Sequence, residues 1–120
     1  MAVTTVTPVK LGLNTFELDA LTFTQASSAA DGYVVPFTDT DTKTLFLFQN
    51  TATAAQTVTI KKGNGIQGVA DLTSGEIAAS GVAAITVDSG RFKHVSGDLK
   101  GKIQIIPSDV KVKMAVIVLP

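Results

Sequence analysis

Apolar and polar residues alternate with the two-residue period of β-strands along most of the chain. Val58 and Ile60 are separated by Thr57, Thr59 and Lys61, the pattern of a strand with one buried face. Phe16 and Leu18 alternate with Thr15 and Glu17, and Leu21 and Phe23 with Thr22 and Thr24. Tyr33, Val35 and Phe37 fall on one face of a further segment, with Val34, Pro36 and Thr38 on the other. Pro36 has no N–H to give a ladder, which predicts a sheet edge or a bulge there. Residues 83–87, 102–106 and 111–119 predict later strands, and their Val and Ile content suits a pleated, half-buried surface.

Turn signals punctuate these runs. Asp31-Gly32, Asn64-Gly65, Ser74-Gly75, Ser89-Gly90 and Gly97-Asp98 supply residues that accept positive φ at little steric cost. Short strands at this spacing predict an all-β fold, a single sandwich domain spanning residues 1–120 with about seven to nine antiparallel strands. The one helix candidate, 69–79, is weakened by Gly75. Residues 62–82 are therefore expected to form a long connection holding at most one helical turn. No internal repeat and no domain break is visible.

Two strands are apolar on both faces. In Thr44-Leu45-Phe46-Leu47-Phe48-Gln49-Asn50 the leucines point one way and the phenylalanines the other. Near the end, Val110, Val112, Met114, Val116 and Val118 share a face, while the opposite face starts with Lys111 and Lys113 and continues as Ala115, Ile117 and Leu119. A sandwich strand buries only one face. Two explanations stand: the N-terminal arm or the 62–82 connection covers the second face, or a partner protein does.

Composition narrows the function classes. With 45% hydrophobic and 17% charged residues, the chain can bury a core and is not of disordered type. Ten basic residues balance ten acidic ones, so the basic excess typical of nucleic-acid binding is missing. The balance is uneven along the chain: residues 1–50 carry two basic against five acidic groups, and 51–120 carry eight against five. That asymmetry fits either a solvated surface or a basic patch facing an acidic partner. The longest apolar run, 114–119, is far shorter than the ~18 residues of a membrane span. The N-terminal stretch has neither a charged n-region nor an apolar h-region, predicting synthesis and folding in a cytoplasm. There is no Cys, which removes disulfides, thiolate metal sites and thiol nucleophiles.

Candidate chemistry is sparse. Gly63-Asn64-Gly65-Ile66-Gln67-Gly68 matches G-x-G-x-x-G after a strand, with Asp88 further on. A dinucleotide site also needs a helix opening at the third glycine inside a βαβ unit, and the flanking pattern predicts none. Asp39-Thr40-Asp41 offers two carboxylates but lacks the further acids of a calcium loop. His94 is near Asp88, Ser89 and Ser96 in sequence only, which does not make a nucleophile–base pair. No cofactor, metal or catalytic residue is assigned, and the chain is not expected to be an enzyme. With one Tyr and no Trp, an aromatic sugar- or base-stacking platform is missing.

Three stretches taken together resemble a known group of proteins. Asp31-Gly32-Tyr33 is followed by Lys43-Thr44 and the strand ending at Asn50, then by Thr57-Val58-Thr59-Ile60 with its glycine-rich exit. Gly90-Arg91-Phe92 and Gly101-Lys102-Ile103 then lead to the closing strand 110–119. The succession, covering residues 31–120, is similar to small immunoglobulin-like or related β-sandwich proteins of tailed bacteriophages that decorate or cement the capsid exterior. The resemblance implies an immunoglobulin-like sandwich on the virion, bound non-covalently to the major capsid protein and stabilising the shell, without nucleic acid or membrane. Tail and fibre modules share these signatures and remain an alternative, as does a carbohydrate-binding adsorption module.

On that reading the candidate contact residues are Thr4, Thr5, Val6 and Pro8 in an extended arm (1–13), with Phe46, Phe48, Lys111, Lys113, Ile117 and Leu119 on the doubly apolar strands. The arm has two readings, a strand added to a neighbour's sheet or the first strand of its own domain. A homo-oligomer is equally compatible with the apolar faces.

Overall fold

The computed structural model describes residues 3–17 and 22–120. Among them lie β1 (Thr4–Thr5), β2 (Val9–Lys10), β3 (Tyr33–Pro36), β4 (Thr44–Asn50), β5 (Val58–Ile60), β6 (Leu72–Thr73), β7 (Val82–Ile85), β8 (Lys102–Pro107) and β9 (Val112–Val118). They form two facing mixed sheets. One runs β1-β3-β8-β5-β6 and the other β2-β9-β4-β7.

Most of the pairing is nested. β5 pairs with β6, β4 with β7 and β3 with β8, all antiparallel, as in one long hairpin that has been rolled up. Rolling closes two more antiparallel ladders, β5 with β8 and β4 with β9. The outermost position of the nest is filled by Thr24, which bridges Met114 antiparallel with backbone bonds of 2.8 and 2.9 Å in the two directions.

The expectation of uniformly antiparallel strands fails at the N-terminus. β1 runs parallel to β3, and β2 parallel to β9. One extended segment thus serves both sheets in turn, with Pro8 between its two short strands. A parallel pair needs a long crossover, and residues 6–32 supply it between β1 and β3. The strand order also departs from that of an immunoglobulin domain, whose last two strands share a sheet. Here β8 and β9 lie in different sheets, because the turn at 108–111 carries the chain across.

The alternation expected for β4 is obeyed. Thr44, Phe46, Phe48 and Asn50 are buried, whereas Leu45, Leu47 and Gln49 are half-buried. β9 sends Val112, Met114, Val116 and Val118 inward, and β8 sends Ile103, Ile105 and Pro107. Val112, Met114, Val116, Ile103 and Ile105 share one core with Tyr33 and Val35 of the adjoining β3 and with Phe37 just beyond it. Phe37 and Phe46 pack edge to face, 6.1 Å between centroids, the favoured aromatic geometry.

Pro36 keeps its place in β3 because its nitrogen points away from β8. Phe37 N–H donates to Gly101 O, so Pro36 faces the opposite side, and β1 is paired only as far as Val34 there. Gly32 is required by a close approach. Its φ is +60°, and a Cβ there would lie 2.2 Å from Ile105 O.

Residues 69–79 form no helix. β6 pairs with β5, and Ile77 bridges Gln56 with bonds of 2.7 and 3.1 Å, so strand partners take the backbone groups a helix would use. The helical turns occur elsewhere: a 3₁₀ turn at Asp41–Lys43 and α1 (Ser89–Phe92), whose N-cap Asp88 accepts from Gly90 N–H at 2.8 Å. The expected strand through Phe16 and Leu18 does not form at Phe16, which is 93% exposed and outside any strand. Leu18 and Leu21 lie outside the described residues.

Candidate interaction surface

Inward and outward positions of the four-stranded sheet separate the predicted contact residues. Phe46 and Phe48 are 0% and 3% exposed and belong to the core. They cannot be contact residues, because register places the leucines outward and the phenylalanines inward. Val6 is likewise core, at 4% exposure. Thr4 and Thr5 form β1 inside the domain's own sheet, and Thr4 Oγ1 accepts from Ser27 N–H at 3.1 Å. The described part of the arm therefore serves as strands of its own domain. Pro8 is half-buried between them.

Ile117, Leu119, Lys111 and Lys113 remain accessible in part. The ladders Leu45↔Ile117, Leu47↔Ala115 and Gln49↔Lys113 between β4 and β9 put these residues on the outer face. Val9 pairs with Ile117 on one side, and Leu47 with Ala84 and Gln49 with Val82 on the other. The outer face is thus an apolar band: Val9, Ile117 and Leu45, then Leu47 and Ala84, with Ala115 beside Leu47 already buried at 3% exposure. Leu45, Leu47 and Ile117 are half-buried, while Val82 is 60% and Leu119 42% exposed. Sequence reasoning missed Leu45 and Leu47 as the contact-facing members of their strand. Alternation carries no signal for them, since both parities are apolar at the centre of the strand and polar Thr44 and Asn50 fall on the phenylalanine side.

The N-terminal segment covers only one margin of this band. β2 lengthens the sheet beside β9, and residues 11–17 border Ile117 and Pro120 in a shallow depression. Leu13 and Phe16 are 78% and 93% exposed on that segment. The 62–82 connection does not cover the band, since β6 belongs to the opposite sheet. Lys43, Lys111 and Lys113 fringe it, and none of them forms an ion pair among the described residues. An apolar centre within a rim of unpaired cations is suited to an apolar patch bordered by carboxylates.

The polar motifs are occupied with structural work. Asp39 accepts from Thr40 N–H at 2.8 Å and pairs with Lys10 at 3.1 Å, which together hold its carboxyl below the usual range. Asp41 instead accepts from the Ser89 backbone N–H and hydroxyl at 3.0 and 3.1 Å. The two carboxylates are therefore engaged separately, and among the described residues no three His, Asp or Glu side chains converge. Asp88 caps α1 and Ser89 is held by Asp41. His94 makes no side-chain hydrogen bond to either, and its Nε2 is buried without a partner.

The glycine-rich loop has a packing explanation. A Cβ at Gly63 would meet Lys93 O at 2.5 Å, and one at Gly68 would meet Gly63 O at 2.1 Å. Gly68 leads toward β6, so no helix opens at the third glycine, and the loop instead packs beside α1, with Gln67 Oε1 against Gly90 and Gly63 N–H donating to Arg91 O at 2.8 Å. Asn64 fastens it instead, donating to Ser96 O at 3.0 Å and accepting from Val95 N–H at 2.8 Å. Comparison with protein-family models, curated proteins and solved structures finds no match to this chain.

Proposed function

We propose that this protein is a structural component of a tailed-phage virion, docking on the assembled shell of the major capsid protein and stabilising it. The observation that carries the reading is the apolar outer band of Leu45, Leu47 and Ile117 with its rim of Lys43, Lys111 and Lys113. It is a surface for contact, and its side chains offer no nucleophile or general base.

The motif succession over residues 31–120 supports placing that contact on a capsid. The nested strand pairing favours a jelly-roll type of sandwich, an architecture common in capsid proteins, over the immunoglobulin order. Binding the assembled shell and not its free subunits would stabilise it by mass action. On this reading the chain performs no turnover, and its address is the outer surface of the head. Mixing the purified protein with undecorated heads and sedimenting them tests the proposal: it should pellet with heads. Labelling of tails and not heads in immuno-electron microscopy of virions would transfer it to the tail or fibre.

A further inference from the structure

We propose that β7 is a dimerisation edge, at which two copies pair antiparallel about a twofold axis at Ala84 and join their four-stranded sheets into one. β7 ends its sheet. β4 gives its odd positions to β9, as Thr51 N–H donates to Lys111 O, and its even positions to β7, as Asn50 N–H donates to Gly81 O. With Phe48 opposite Ala83, the ladder uses the backbone of Gly81, Ala83 and Ile85. The N–H and C=O groups of Val82, Ala84 and Thr86 therefore point out of the sheet, and no backbone bond reaches them among the described residues.

Such an edge is usually protected by charge, proline or a bulge. Residues 77–87 hold no charged side chain and no Pro, and the bulge that sets Ser80 and Gly81 together opposite Asn50 lies ahead of the outward run 82–86. A twofold contact brings each residue against its own copy, so a charge-free run is the condition for forming one without like-charge repulsion. The outward groups at 82, 84 and 86 are symmetric about 84. Pairing Ala84 with Ala84 of the second copy, and Val82 with Thr86, aligns donors and acceptors in every pair.

The same register matches shape. A groove of about 170 Å³, lined by Phe48, Val58, Ile60, Leu72 and Ile77, opens between the sheets beside Ala83. Ala83 then faces Ile85 of the second copy, whose side chain fills space that alanine leaves open. This inference is independent of the capsid reading, because it concerns the protein alone in solution.

Sedimentation equilibrium over a concentration series should give a mass approaching twice 12.4 kDa. Ala84→Lys, on an exposed side chain, should weaken the dimer by at least about tenfold. The chain has no Cys, so a single introduced one reports the register. Hydrogen-bonded antiparallel partners sit about 5.5 Å apart between Cα atoms, within disulfide reach. Ala84→Cys should oxidise to a covalent dimer, and Thr86→Cys, which faces Val82, should not. A monomer at every concentration, a dimer indifferent to Ala84→Lys, or cross-linking through Thr86→Cys but not Ala84→Cys would overturn the proposal.

Discussion

The Tyr33 hydroxyl donates to the Val112 carbonyl across the sheets at 2.6 Å, while accepting from Ala26 N–H at 3.1 Å. Thr24 O lies 3.1 Å from the same oxygen. One fully buried phenol thus ties the 24–26 segment to the start of β9, completing the outermost turn of the nest. Tyr33→Phe keeps the ring but leaves Ala26 N–H and Val112 O without this partner. The expected loss is about 1–3 kcal/mol in urea unfolding.

The same residue predicts an alkaline effect. Burial raises the Tyr33 pKa above its ordinary 10.0, with the Ala26 hydrogen bond partly opposing the shift. Below about pH 10 the phenol is neutral in both folded and unfolded chains, and its stabilisation is fully present. As pH rises further, the unfolded chain ionises first and stability falls. Thermal melts above pH 10 should show a steeper decline for the native chain than for Tyr33→Phe.

Asn50 is one of two buried polar residues of β4, with Thr44, and is 0% exposed. Its Nδ2 lies 2.8 Å from Ile77 O and 3.0 Å from Ala54 O, and its Oδ1 accepts from Ala52 N–H at 2.9 Å. Asn50→Ala should orphan these groups together and cost on the order of 3 kcal/mol. Asn50→Asp keeps the acceptor but places a carboxylate against two carbonyls, so it should destabilise at neutral pH and recover partly in acid. Chemical denaturation at two pH values checks both.

Gly32 offers a backbone test. Gly32→Ala meets Ile105 O and adopts φ +60°, so it should lower stability by roughly 2 kcal/mol or more. Gly97→Ala has a comparable φ of +81° but open space around the new Cβ, so it should cost about 1 kcal/mol. Equal losses at the two sites would show that conformation, and not close approach, controls the Gly32 turn.

Much of this architecture is legible in the residues. The inward parity of β5, β8 and β9 follows from alternation, and Gly32 from its place before a strand. What alternation could not supply was direction and partner. Thr4–Thr5 pairs in parallel with β3 and Val9–Lys10 in parallel with β9, which is a property of how the chain crosses over and not of local pattern. In β4 both parities are apolar, so the choice between leucines and phenylalanines rests on the aromatic contact between Phe37 and Phe46. The strand propensity of Leu72–Thr73 was concealed by its neighbours Ser74 and Gly75. Of the candidate surface, the lysines and Ile117 could be read from sequence, whereas Leu45 and Leu47 required the register.

Leu47 lies in the middle of the outer band of the four-stranded sheet, between Ala115 and Ala84. Replacing it with Glu should leave the core phenylalanines in place, since it projects from the other side of β4. The most direct measurement is the bound fraction of native and Leu47→Glu protein on purified undecorated heads, at matched concentration and with folding verified by circular dichroism. The native chain should bind saturably, and the variant with at least a roughly tenfold weaker affinity. Equal binding of the two would contradict a docking role for this band.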